Sequence, residues 1–129
     1  MPNFNTARRR SPLPWLLLGF GGRISRGIYW QGFLALLCVN TALYFQLIGM
    51  TEEDLAGSRP FLVLLVAIAA LFVNIALAVK RLHDVGYSGF LAIAVAIPIL
   101  NVAFSIWLGL LPGTTGPNAY GDVADVPPA

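Results

Sequence analysis

Three apolar runs without a single charged residue constrain this chain more than anything else in it: Ile28 to Met50, Phe61 to Val79 and Phe90 to Leu111, of 23, 19 and 22 residues. A helix rises about 1.5 Å per residue, so about 20 apolar residues cross the roughly 30 Å hydrocarbon core of a bilayer. The runs therefore predict an all-α membrane protein with three transmembrane helices, at about 28–50, 61–79 and 90–111. Composition excludes the soluble alternative. Only 11% of the 129 residues are charged, against about 25% in soluble domains, and a domain this small could not cover its apolar mass with so little polar surface. Pro98 lies inside the third run and predicts a kink there, because proline removes one backbone hydrogen bond.

The segments between the runs set the orientation. Five arginines (Arg8, Arg9, Arg10, Arg23, Arg26) precede the first run, and Lys80 and Arg81 follow the second. Arg59 alone lies between the first two runs, and the segment after Leu111 has no basic residue. Counting basic residues on this pattern puts the N-terminus and the 80–89 loop in the cytoplasm. With three crossings, the acidic loop Glu52-Glu53-Asp54 and the C-terminus fall outside. Residues 1–27 read as a cytoplasmic segment whose Leu13–Phe20 stretch, with Trp15, anchors at the interface. That stretch is too short, and too interrupted by Pro14, for a cleaved export signal. Residues 28–111 form the transmembrane domain, and residues 112–129 a Pro/Gly-rich irregular tail. The net charge of +2 comes from these flanking clusters, which suit topology and anionic lipid rather than nucleic acid. Cys38, the single cysteine, rules out a disulfide framework and a cysteine metal site.

Chemistry concentrates in Lys80-Arg81-Leu82-His83-Asp84-Val85-Gly86-Tyr87-Ser88-Gly89, which holds the only histidine and the only lysine. Gly86 and Gly89 allow a tight turn, and Ser88 can cap the first turn of the third run. His83 and Asp84 are adjacent and point about 100° apart on a helix, which disfavours a direct catalytic pair. The hinge before the first run can bring Arg23 and Arg26 to the same surface as Arg81, His83 and Asp84. Arginines there are suited to fork a phosphate, with Tyr29 and Trp30 at interfacial depth. No metal site is expected, since one histidine and one aspartate fall short of the usual four ligands, and no cofactor pattern is present. Each run also carries one asparagine. Asn40 and Asn101 fall near the bilayer midplane, with Asn74 about 6 Å nearer the cytoplasm. They serve as separate helix–helix hydrogen bonds or as one shared polar cluster.

Gly22-Arg23-Ile24-Ser25-Arg26 with Tyr29-Trp30, Arg81-Leu82-His83-Asp84 with Ser88-Gly89, and Pro112-Gly113-Thr114-Thr115-Gly116-Pro117-Asn118-Ala119-Tyr120-Gly121 resemble, in order, three motifs of DUF805, over roughly residues 20 to 121. The resemblance implies a small bacterial inner-membrane protein of uncharacterised role, without established catalytic residues. It implies that Pro112, Gly113, Asn118 and Gly121 belong to a family motif in the tail. Ala119 and the stretch Asp122-Val123-Ala124-Asp125 depart from the family's usual ending.

The expected function is non-enzymatic: binding of an anionic lipid headgroup or a protein partner at Arg23, Arg26, Tyr29, Trp30, Arg81, His83 and Asp84. Membrane lipids, a membrane protein and a second copy of the chain are the expected partners. The alternative is a subunit of a small oligomeric transporter or channel, favoured if Asn40, Asn74 and Asn101 face one axis. A lipid-modifying enzyme using His83 as acid or base ranks third.

Overall fold

The computed structural model describes residues 12–128; the cluster Arg8 to Arg10 lies outside the described residues. Among these residues the chain is helical, and its one β-bridge joins Asn118 to Gly121. A short helix α1 (Leu13–Leu18) leads through a turn to α2 (Arg26–Ile48). At the far end of α2, Thr51 and Asp54 form a reciprocal capping box that starts the small helix α3 (Glu52–Ala56), the arrangement that satisfies two orphan amides at once. Helix α4 (Arg59–Val85) then returns antiparallel to α2. Arg59 fixes this far end, reaching Asp54 at 2.9 Å and the side-chain oxygen of Gln46.

Helices α2 and α4, of 23 and 27 residues, are long and apolar enough to cross a membrane. Only Tyr29 and Leu36 of α2 are buried, while Leu34, Phe45, Ile48, Leu62 and Leu64 are each at least half exposed. Exposed apolar surface of that extent has no place in a soluble monomer, and in a bilayer it is the ordinary lipid-facing wall. The two helices approach closely at Gly32, where a Cβ would lie 2.5 Å from a Leu77 methyl, the small-residue contact that lets membrane helices pack.

Helix α4 continues well past Val79, where the apolar run ends, because Lys80, Arg81, His83 and Asp84 remain helical. It stops at Gly86, whose φ of +88° suits glycine. There the Gly86 amide donates to the His83 carbonyl and the Tyr87 amide to the Leu82 carbonyl, which is the Schellman closure of a helix C-terminus.

The third run does not form a crossing helix. It divides into a 3-10 helix (Gly89–Ala96) and helix α5 (Pro98–Leu110). Proline biases the residue before it away from helical geometry and favours the first position of a new helix. Ile97 accordingly takes φ −93° and ψ 112°, extended, and Pro98 opens α5. The two pieces fold back on each other. Gly89 sits against Val79 and His83, and at the other end of the run the Leu108 and Leu111 carbonyls accept hydrogen bonds from Arg81. The tip, at Val95, Ala96 and Pro98, lies beside Leu71 and Asn74. From residue 82 to residue 72 of α4 is about 15 Å along the axis, half the thickness of a hydrocarbon core. The expected third span is thus a half-depth hairpin, and Pro98 reverses the chain instead of kinking it.

This correction moves the tail. Residues 112–126 lie at the same end of the molecule as Arg23, Arg81 and Asp84, because they bond to them directly. A tail opposite the 80–89 loop is therefore excluded by the fold.

Candidate binding site: a clamped polar end and an asparagine-lined recess

Three helix ends and the tail meet where α4 terminates, and each brings carbonyls or amides that no helix can satisfy. Arg81, fully buried, answers three of them. Its guanidinium donates to the carbonyls of Leu108, Leu111 and Ile24 and pairs with the Asp84 carboxylate. Trp30 Nε1 donates to the Gly109 carbonyl at 3.2 Å, and the buried Tyr29 hydroxyl donates to the Ser105 carbonyl at 3.2 Å. The C-terminal turn of α5 is thereby held by side chains of α2 and α4. A cation at a helix C-terminus also complements the helix dipole.

Arg23, 3% exposed, does the same for the tail. Its terminal nitrogens donate to the carbonyls of Gly116 at 2.8 Å, Gly121 at 3.2 Å and Thr114 at 3.3 Å. Its Nε lies 3.3 Å from the second Asp84 oxygen and makes no hydrogen bond among the described residues. Asp84 stands between the two arginines as their shared counter-charge. The tail reciprocates: the Thr114 amide donates to the Asp84 carbonyl at 2.7 Å, and Asn118 Nδ2 to the His83 carbonyl at 2.8 Å. The Asp125 carboxylate accepts from the Ser25 amide at 2.7 Å, at the N-terminus of α2, where its charge is favoured. Gly113 packs on Asp84 so closely that no Cβ fits between them.

His83 and Lys80 complete this end. The imidazole stacks on Tyr120, ring centres 3.9 Å apart, and its Nδ1 lies 3.1 Å from the Gly22 carbonyl. Lys80 Nζ donates to the Trp15 and Gly19 carbonyls and so caps α1; it also lies 5.5 Å from the Trp15 ring centre.

A second polar feature lies at the hairpin tip. Asn40 of α2, Asn74 of α4 and Asn101 of α5 line one recess of about 420 Å³, walled otherwise by residues such as Phe33, Leu36, Leu71, Val95 and Val102. Asn40 Nδ2 donates to the Leu36 carbonyl of its own helix, and Asn101 Nδ2 to the Val95 carbonyl across the hairpin turn. Between Asn101 and the clamp, Ser105 and Leu108 of α5 are fully buried, as is Tyr29 of α2.

Comparison with known proteins fits this arrangement to a family. Residues 17–122 match the family described as "Protein of unknown function (DUF805)". Proteins named "Inner membrane protein YhaI" from Escherichia coli K12 and from Escherichia coli O157:H7 are each 34% identical over 110 residues, covering 81% of this chain and 85% of theirs. The chain belongs to the DUF805 family. No solved structure matches it.

The matched DUF805 region takes in Arg23, Arg81, Asp84 and the tail as far as Asp122, with the hairpin and the recess. Of the residues expected to form a headgroup site, Arg23, Arg81, His83 and Asp84 do converge, but as the clamp on the tail. Tyr29 and Trp30 pin α5. Arg26 alone of that set is exposed. Of the DUF805 tail residues, Gly121 supplies an acceptor to the clamp, Asn118 a donor and Gly113 the close contact with Asp84, and Pro112 leads into it. Lys80 bonds to α1 and leaves Asp84 to the arginines. Sequence reasoning missed Thr114 and Asp125 as partners; the run of turn-forming Gly, Pro and Asn residues in the tail was the available signal that its carbonyls need donors.

Proposed function

We propose that this DUF805 protein is a non-catalytic, two-span protein of the bacterial inner membrane that binds a membrane constituent in the recess at its hairpin tip. The hairpin enters from the cytoplasmic face, and both the N-terminal flank and the tail lie on that face. One observation carries the reading: asparagines from three separate elements line a single recess midway along α4. The orientation draws on the basic residues flanking α2 and α4, since the tail, with no lysine or arginine, adds nothing to the count when it changes side. The membrane assignment draws on the length and exposed apolar faces of α2 and α4 and on relatives named as inner membrane proteins.

Binding is favoured over headgroup capture by the clamp, because Arg23 and Arg81 have their terminal donors in use on backbone carbonyls. It is favoured over conduction through one chain because Tyr29, Ser105 and Leu108, on the clamp side of Asn101, are buried. His83, stacked and hydrogen-bonded, holds the hinge to the tail. A lipid, a membrane protein or a second copy of this chain are the constituents the recess can admit.

Native mass spectrometry of the gently extracted protein tests this. A molecule retained by the parent and lost from Asn74→Leu is expected. Identical spectra for parent and variant would overturn the reading.

A further inference from the structure

We infer that the recess takes a neutral lipid whose hydrocarbon body carries a single hydroxyl or carbonyl group. The inference rests on the membrane-binding reading above and names its ligand.

The three asparagines are not equivalent. Asn40 and Asn101 each spend a donor on a backbone carbonyl, at 2.8 Å and 2.6 Å, and the Asn101 oxygen lies 3.5 Å from the Ser105 hydroxyl. Those bonds explain both residues structurally: one is a local helix contact, the other closes the hairpin turn. Asn74 has no such account. Its amide makes no hydrogen bond to any described residue, and it lines the recess from α4. A free amide at mid-bilayer depth lacks water to bond with, and leaving it unpaired is costly. A group entering the recess relieves that cost.

The lining defines the group. None of the residues around the recess is charged, so an ion or ionised headgroup would enter without a counter-charge. The walls are aliphatic and aromatic, which suits a hydrocarbon body. About 420 Å³ falls within the roughly 300–1,000 Å³ usual for small-ligand sites. An amide offers one donor set and one acceptor, so a carbonyl can accept from Asn74 and a hydroxyl can both accept from it and donate to it.

The test uses diazirine-bearing photoprobes in nanodiscs of phosphatidylethanolamine and phosphatidylglycerol. Four probes share one chain length: an alcohol, a ketone, an alkane and a carboxylate. The alcohol or the ketone is expected to label Phe33, Leu37 and Leu71 about tenfold above the outward-facing Leu62 and Leu65, the scale set by one hydrogen bond to Asn74. The stronger of those two identifies the polar group. Asn74→Leu is expected to abolish the preference, and Leu37→Trp, which fills the recess and keeps Asn74, to abolish it as well. Even labelling by all four probes, preference for the carboxylate, or a preference surviving in both variants would overturn the inference. If the ligand class is wrong but the binding reading right, the alcohol and ketone label evenly while mass spectrometry still finds a retained molecule. Absence of labelling at Leu62 and Leu65 by every probe would overturn the membrane reading, and this inference with it.

Discussion

Replacing Asp84 by asparagine should release the tail while leaving the two crossing helices in place. The carboxylate is the shared counter-charge of Arg23 and Arg81, and the three residues are 4% exposed or less. Asparagine keeps the shape but removes the charge, stranding two guanidiniums in a buried site. Removing one partner of a buried ion pair costs about 3–5 kcal/mol. The lower end applies here, because Arg23 keeps its three bonds to tail carbonyls and Arg81 keeps those to Leu108 and Leu111. At 1.4 kcal/mol per factor of ten, about 3 kcal/mol raises the open population of the tail about a hundredfold. Hydrogen–deuterium exchange in nanodiscs reads this directly, because the amides of Thr114 and Asp125 donate to the Asp84 and Arg23 carbonyls across the joint. Both should exchange about a hundredfold faster in Asp84→Asn, while amides in the middle of α4 stay as protected as in the parent. Tail exchange within about fivefold of the parent would refute the argument that the charge cluster holds the tail.

Other consequences are sharp enough to measure. Gly113→Ala places a methyl against the Asp84 carboxylate and should cost about 1–3 kcal/mol by overpacking, seen as faster exchange of the same tail amides; unchanged protection would contradict the contact. Lys80→Met should free α1, since the ammonium caps it through the Trp15 and Gly19 carbonyls, and Trp15 fluorescence should change while the tail amides do not. In a Cys38→Ser background, an impermeant maleimide added outside spheroplasts should label Glu53→Cys but not Thr115→Cys; labelling of Thr115→Cys from outside would restore a third crossing. Asp54 lies outside the crossing segments, and hydrogen bonding from the Thr51 amide, aided by Arg59 and the Thr51 hydroxyl, lowers its pKa from 3.8 to about 2. Because the folded value is the lower one, its contribution to the α3 turn is complete above about pH 4 and is lost as pH falls through about 2. A carboxyl carbon titration with a midpoint near 3.8 would contradict this.

The two long helices were legible because length and absence of charge alone decide whether a helix can cross a bilayer. Their ends were less so: α4 runs to Val85, since charged residues leave the lipid without leaving the helix. The run from Phe90 to Leu111 passes the same length test and fails in space, because the test cannot see where the two ends are held. The Ile97-Pro98 step was visible, but proline permits either a kink or a reversal. What decides between them is Arg81, which holds the α5 carboxyl end beside the residues from which the hairpin departs. In the candidate site, the converging arginines and aspartate could be anticipated from their shared sidedness. Their acceptors could not, because the expected third crossing put the tail at the opposite end of the molecule from the arginines. The one asparagine in each apolar run was plain from the sequence, and their meeting at one recess depends on a hairpin that stops halfway.

The half-depth hairpin also explains why basic residues lie buried at this end. Non-helical backbone and broken helix ends inside a membrane survive only where protein groups satisfy their amides and carbonyls. A hairpin that turns back presents the carboxyl end of α5 at the bilayer boundary, where α4 ends as well, and the orphan carbonyls of both accumulate there. Arginine is suited to this burden, with five donors in a fixed fork and a charge that persists when buried. Arg81 serves α5, Arg23 serves the tail, and Lys80 serves α1, so each cation closes a different chain end. Residues that count as orientation signals in the sequence are, in the fold, the donors that close the ends of the hairpin, the tail and α1. The same reasoning separates the two polar features of the molecule. At the clamp, the terminal donors of the arginines meet acceptors within the chain, so the clamp builds the structure. At the hairpin tip, Asn74 remains without one, and that is where a ligand has something to gain by binding.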